Sequence, residues 1–398
     1  MKSPWAVILC KFTDGNDEPF PKQYYADLFT TSDTGSPWNM IRYFSDYSHG
    51  TLDLTGTQVF GWYKLDKSVD DYNALGGGAR DALITWARAA AAAHGVDLKP
   101  YFSTVVCTNR WQDIGASPTL SGVIAQGLTA VPALLGHEMG HVYGLLHSRI
   151  DGSEVDYLDP WDIMSADTHY EAPDPEFTLI GPGLNAWNMR SRGWLDESRV
   201  WKGTGDSFDE TIVLRPLVRR DLRGFLAAEL SGGYLVEFRV REGWDGAIPR
   251  PAVLVHRFDG GHSYLMPGNE GTSDLVAGDS FGDADPVGSP LSIFSTFKRV
   301  EVQSIDAAGE KATIRLRYRH PVRVGVDGRA VDPMYLILSG SAYLRWVEQH
   351  HPHELDVAEI RAALQAMTPQ ERSAAVSRAR TLAAHGKAVE EAAAGIRG

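Results

Sequence analysis

Eleven residues constrain this chain more than any other stretch: His137-Glu138-Met139-Gly140-His141-Val142-Tyr143-Gly144-Leu145-Leu146-His147. They fit H-E-x-x-H-x-x-G-x-x-H, a spacing with a mechanical reading. On a helix, positions i and i+4 share a face, so His137 and His141 aim their imidazoles at one point, with Glu138 beside them. A helix that simply continued would carry His147 away. Gly144 accepts the left-handed backbone of a sharp turn. The chain then doubles back, and His147 closes a three-histidine site. Three neutral imidazoles leave the fourth position of a zinc ion open to water, which marks a catalytic rather than a structural site.

The H-E-x-x-H core alone is short and arises by chance. Five fixed positions at this spacing would appear in a random chain of this length well under about one time in a thousand. A merely decorated helix is therefore a poor explanation. Between residues 120 and 135 the only polar side chains are Ser121, Gln126 and Thr129, which reads as a buried helix with Pro132 near its first turn. Seventeen residues after His147 comes Met164, within Asp162-Ile163-Met164-Ser165. This resembles the Met-turn of metzincin metallopeptidases, whose methionine forms an apolar floor beneath the metal. The alternative for Met164 is an ordinary core methionine.

The likeness extends beyond the motif. Trp5-Ala6-Val7-Ile8-Leu9-Cys10-Lys11-Phe12, the segment from Tyr43 through His49-Gly50-Thr51-Leu52-Asp53 to Gly56, and Gly61-Trp62-Tyr63 resemble the start of immune inhibitor A-type secreted metallopeptidases. Gly183-Leu184-Asn185-Ala186-Trp187 and Gly193-Trp194-Leu195-Asp196 are similar to the family after its Met-turn. Tyr234-Leu235-Val236-Glu237-Phe238-Arg239 and Gly243-Trp244-Asp245 resemble the β-rich module that follows its protease. The resemblance spans about residues 5 to 318. It implies a metzincin-like catalytic domain, His137, His141 and His147 as zinc ligands, Glu138 as general base, and Gly144 and Met164 as structural residues of the site. One departure stands out. Several metzincin groups carry a tyrosine two residues after the Met-turn methionine, where this chain has Ala166. His169 and Tyr170 lie nearby, and either could reach the cleft.

At 398 residues the chain exceeds a single core. The net charge of −13 argues against nucleic acid or an anionic membrane surface as partner. No run reaches the roughly 18 apolar residues of a transmembrane helix. The first apolar run reads as a strand rather than a signal peptide. The localisation stays open: cytoplasmic as the chain stands, secreted if a leader precedes it. Cys10 and Cys107 sit in apolar runs and read as buried free thiols.

Strands are expected at 5–12 and 101–107, a strand pair at 51–64, helices at 36–48 and 79–93, and loop at 66–78. That order suits an α+β or α/β catalytic domain at 1–199, with a twisted mixed sheet behind the zinc helix. Residues 148–182 are rich in Asp, Pro and Gly and suit a cleft wall. Residues 182–194 suit a closing helix. From 200 to 319, apolar runs separated by glycine-rich turns suggest an all-β sandwich. Within it, Asp279, Asp283 and Asp285 crowd one loop and could hold Ca²⁺, although a solvated acidic turn is the commoner outcome. Residues 320–398 form a small helical C-terminal region, with helices expected at 334–349, 357–366 and 369–384. It could pack blandly or dock a protein partner.

These readings converge on zinc-dependent endopeptidase activity toward protein or peptide substrates. Two rivals remain: a metal-bearing binding or scaffolding protein without catalysis, and a zinc hydrolase of a non-peptide amide or ester. Glu138 speaks against the first, since nothing but chemistry requires it in the motif.

Overall fold

A computed structural model describes residues 1–30, 37–110, 113–117, 119, 121–165, 169–204, 207–284, 296–306, 308–319, 324–326, 329–331 and 368–370. The N-terminal part runs β1 (Trp5–Lys11), α1 (Lys22–Phe29), α2 (Met40–Tyr47), β2 (Gln58–Lys64), α3 (Val69–Asn73), α4 (Ala79–Ala93), β3 (Ser103–Thr108), β4 (Ile114–Ser117), β5 (Gly122–Gln126) and α5 (Pro132–Val142). Its five strands form one mixed sheet in the order β2–β1–β3–β5–β4. The first four strands in that order are parallel, and β4 closes the edge antiparallel to β5.

Strand alternation sorts the core into two faces. Trp5, Val7, Leu9, Val105, Cys107, Val123 and Ala125 pack with Tyr43, Phe44, Leu135 and Met139 from α2 and α5. Ile8, Cys10, Val106 and Ile124 pack with Leu83, Ile84, Ala87 and Ala91 of α4. Helices thus cover both faces, as a largely parallel sheet requires. Cys10 and Cys107 are both free and buried, and they face opposite sides of the sheet.

Three expectations need correcting. The run from 120 to 135 is not one helix: β5 occupies its first half and α5 begins at Pro132. Period alone cannot distinguish a buried strand from a buried helix. Here β-branched Val123 and Ile124 lie between Gly122 and Gly127, and β5 is bonded on both sides. Residues 51–64 form a single strand, with Asp53 making only an isolated bridge to Lys2. The expected loop at 66–78 contains α3, opened by a Ser68/Asp71 capping box.

The chain continues through β6 (Arg149–Ile150), β7 (Ala172–Asp174), β8 (Thr178–Ile180) and α6 (Ala186–Ser191). Then come β9 (Val200–Lys202), β10 (Ser207–Leu214), β11 (Ala227–Leu230), β12 (Tyr234–Arg239), β13 (Ala252–Asp259) and β14 (His262–Leu265). Last are β15 (Ser280–Gly282), β16 (Phe297–Ile305), β17 (Ala312–Arg319), β18 (Val324–Val326) and β19 (Arg329–Val331). A six-stranded sheet has the order β6–β14–β13–β12–β11–β9, and a four-stranded one the order β10–β17–β16–β15. Strand β6 starts two residues after His147, so the six-stranded sheet begins at the motif itself.

The chain divides into two compact units. The first comprises residues 1–203, 211–281 and 301–315, and so runs across the expected boundary at 199/200. Buried polar groups knit it together. The Asp162 carboxylate accepts from the backbone N–H groups of Met164 and Asn185. The Glu237 carboxylate accepts from Ala186 N–H and from Arg239. Asp245 accepts from Gly183 N–H and pairs with Arg239, and Asn185 donates to Ser263. The second unit comprises residues 204–210, 282–300 and 316–398. Its β18 and β19 form an antiparallel hairpin, and Pro369 and Gln370 are helical. The expected helices at 334–349 and 357–366, and most of 369–384, lie outside the described residues.

Candidate metal centre

Helix α5 is placed by what it buries. Val131 is extended and Pro132 opens the helix, where a missing N–H does no harm. Leu135 and Met139 point into the core. Two glycines let the helix lie close to its neighbours. A Cβ on Gly136 would come 2.4 Å from Ile163 Cδ1, and one on Gly140 would come 2.7 Å from Met164 Sδ. The helix ends at Val142 in a Schellman cap: Gly144 N–H donates to His141 O at 2.9 Å and Leu145 N–H to Gly140 O at 3.0 Å. Gly144 has φ +87°, the left-handed conformation that turns the chain back toward the helix.

His137, His141 and His147 meet as a result. Their ligand atoms all lie within 4.8 Å of one another, and His141 Nε2 is 3.0 Å from both His137 Nε2 and His147 Nε2. Each ring donates its Nδ1–H elsewhere. His137 donates to Ile163 O at 2.9 Å, His141 to Leu145 O at 2.8 Å, and His147 to Asp156 Oδ2 at 2.8 Å. In a neutral ring a bond donated by Nδ1–H puts the lone pair on Nε2, so the three Nε2 atoms are the ones free to face a metal. Burial, then the neighbouring imidazoles, push His137 down to about 3. Burial likewise takes His141 to about 4. Three converging lone pairs repel unless a cation lies among them. For zinc at about 2.0–2.1 Å from nitrogen, a tetrahedral edge is about 3.3 Å, close to the observed spacing. The donor set therefore fits zinc, and outward Nδ1–H bonds of this kind are the usual way such ligands are held.

Glu138 follows His137 on α5 and is not one of the three convergent ligands. Burial raises it to about 7, against the lowering effects of the Arg80 charge and the Ala116 N–H from edge strand β4. Met164 is fully buried and rests its sulfur against Gly140, one residue before His141. The turn that carries Met164 is tight: Asp162 takes up Met164 N–H at 2.7 Å, and Ser148 N–H donates to Met164 O at 3.1 Å.

His169 and Tyr170 are not among the convergent groups. His169 donates Nδ1–H to Ser165 O and places Nε2 3.1 Å from Glu171. Tyr170 packs edge-on to Trp161. Ala166 lies outside the described residues. Two parts of the site escape sequence reasoning. The Ile163 carbonyl is a backbone atom that no residue type announces. Asp156 lies in an acid-rich stretch where nothing singles it out. Beside it, Tyr157 has φ +67° and sets its ring 4.1 Å from that of His147.

Among the described residues the three histidines form the only group of three or more His, Cys, Asp or Glu placed to hold a metal. In the acidic stretch read as a calcium candidate, Asp279 accepts from Val276 N–H and Asp283 from Lys298 N–H. Asp285 lies outside the described residues. No helix among them is long and apolar enough to cross a membrane.

No protein-family model matches the chain. It is similar to two solved structures of OgpA from Akkermansia muciniphila. One matches at a TM-score of 0.32 and 12% identity, over 59% of this chain and 70% of the other. The second crystal form matches at 0.32 and 11%, over 79% and 91%.

Proposed function

We propose that the chain is a zinc-dependent endopeptidase, with a metzincin-like catalytic part of the immune inhibitor A type. The observation that carries this reading is the convergence of three histidine Nε2 atoms, two of them from the helix that also carries Glu138. Zinc held there supplies the Lewis acidity that makes water a nucleophile near neutral pH and polarises a scissile carbonyl. His137, His141 and His147 hold their ring planes through their Nδ1–H bonds, so the site need not reorganise as charge develops. Glu138 accepts a proton from the attacking water and delivers it to the leaving amine nitrogen. Protein or peptide substrates are proposed because the motif's resemblance implies them.

The test is digestion of a denatured protein by the zinc-loaded chain beside Glu138→Gln, with products read by mass spectrometry. The variant is expected to retain zinc and to lose about 10²- to 10⁴-fold in rate. Equal cleavage by both would remove Glu138 from the mechanism. No cleavage by the zinc-loaded wild type, across a broad set of denatured proteins, would favour a non-catalytic metal protein.

A further inference from the structure

The three ligands are not held by the same part of the fold. His137 and His141 ride on α5, and the acceptor for His141 lies in the same turn. His147 lies past the helix, and what restrains it comes from the six-stranded sheet. Its Nδ1–H donates to Asp156 Oδ2 at 2.8 Å. The other oxygen, Asp156 Oδ1, accepts from Arg149 Nε at 2.7 Å. Arg149 opens β6, where it pairs in register with Tyr264 of β14, and its Nη1 donates to Tyr264 Oη at 3.1 Å. From the same strand, His262 Nδ1–H donates to the His147 carbonyl at 2.8 Å. Glu154 also touches Arg149, but at 83% exposure it contributes little.

We infer that Tyr264, Arg149 and Asp156 form a relay that positions His147, so that the strength of metal binding is set from strand β14, well over a hundred residues beyond the motif. The inference rests on the reading that the triad holds a metal. The physical reason is geometric. A carboxylate has two oxygens and serves both neighbours at once, so Arg149 fixes the plane of Asp156 and Asp156 fixes the ring of His147. An amide in that place has a single acceptor and serves one neighbour only. These are positioning residues; none reaches the three Nε2 atoms.

The test is zinc affinity by chelator competition on the full chain, for wild type, Asp156→Asn, Tyr264→Phe and the double variant. The absorption spectrum of the cobalt(II)-loaded proteins is a second readout. Asp156→Asn is expected to weaken zinc binding about 10- to 100-fold and to shift the cobalt bands. Tyr264→Phe removes one hydroxyl and is expected to weaken binding about two- to tenfold. Because both act through one relay, the double variant should bind no more weakly than Asp156→Asn. Far-UV circular dichroism should be unchanged in all three. Wild-type affinity in Asp156→Asn, or losses that multiply in the double variant, would overturn the relay and leave the triad standing. A wild-type chain that takes up no zinc would overturn the reading of the triad and the relay with it.

Discussion

At the scale of single residues, the site depends on a few positions where one atom decides the outcome. Gly144 is one. Its φ of +87° is where a Cβ is strained, so Gly144→Ala should lower the unfolding free energy by about 1–2 kcal/mol in urea titrations. An unchanged midpoint would mean the turn relaxes freely. This position is legible in sequence, because a helix that must bring a third histidine back has to end there. Glu138 is legible too, since a structural helix has no use for it. Asp156 is not, because any residue with an acceptor can satisfy an imidazole N–H. The Ile163 carbonyl is still less so, being backbone.

At the scale of elements, α4 follows from its alanine-rich composition and β1 from a short apolar run, whereas β5 does not follow. Its apolar run suits either state, and partners on both sides make it a strand. The same limit applies to the buried polar groups among residues 159–263. His256 is fully buried, with Nε2 3.1 Å from Asp159 and Nδ1 3.8 Å from Glu237. Burial alone would lower its pKa, but the bond to Asp159 and the charges of Glu237, Asp159 and Asp162 outweigh it and hold it above the usual imidazole range. Its stabilisation is therefore complete below about pH 6.5, the unfolded value, and fades as pH rises through the folded one. The gap in unfolding free energy between wild type and His256→Asn should shrink as pH rises above about 6.5. A gap that widens with pH would refute this assignment of charge.

At the scale of the whole molecule, the first compact unit extends past residue 199, and its buried polar groups say why. Gly183 N–H, Ala186 N–H, the Asn185 amide and Asp159 find partners in Asp245, Glu237, Ser263 and His256. Each partner removed strands a buried group at about 1–3 kcal/mol, and four such losses approach the whole stability of a domain, about 5–15 kcal/mol. A chain ending at 199 should therefore show no cooperative thermal transition, while the full chain should. A sharp transition in the shortened chain would contradict this account. Zinc should add to the stability of the full chain, by about 4 kcal/mol at a thousandfold excess over its dissociation constant, and a chelator should remove that increment.

The way the three rings are held bears on protein engineering. Grafting residues 137–147 onto a foreign helix would carry along only one of the three Nδ1 acceptors, Leu145 O, because Ile163 O and Asp156 lie downstream. Such a transplant would bind metal through loosely hinged rings. A faithful copy needs the segment through Met164 and a strand edge for it to lean on.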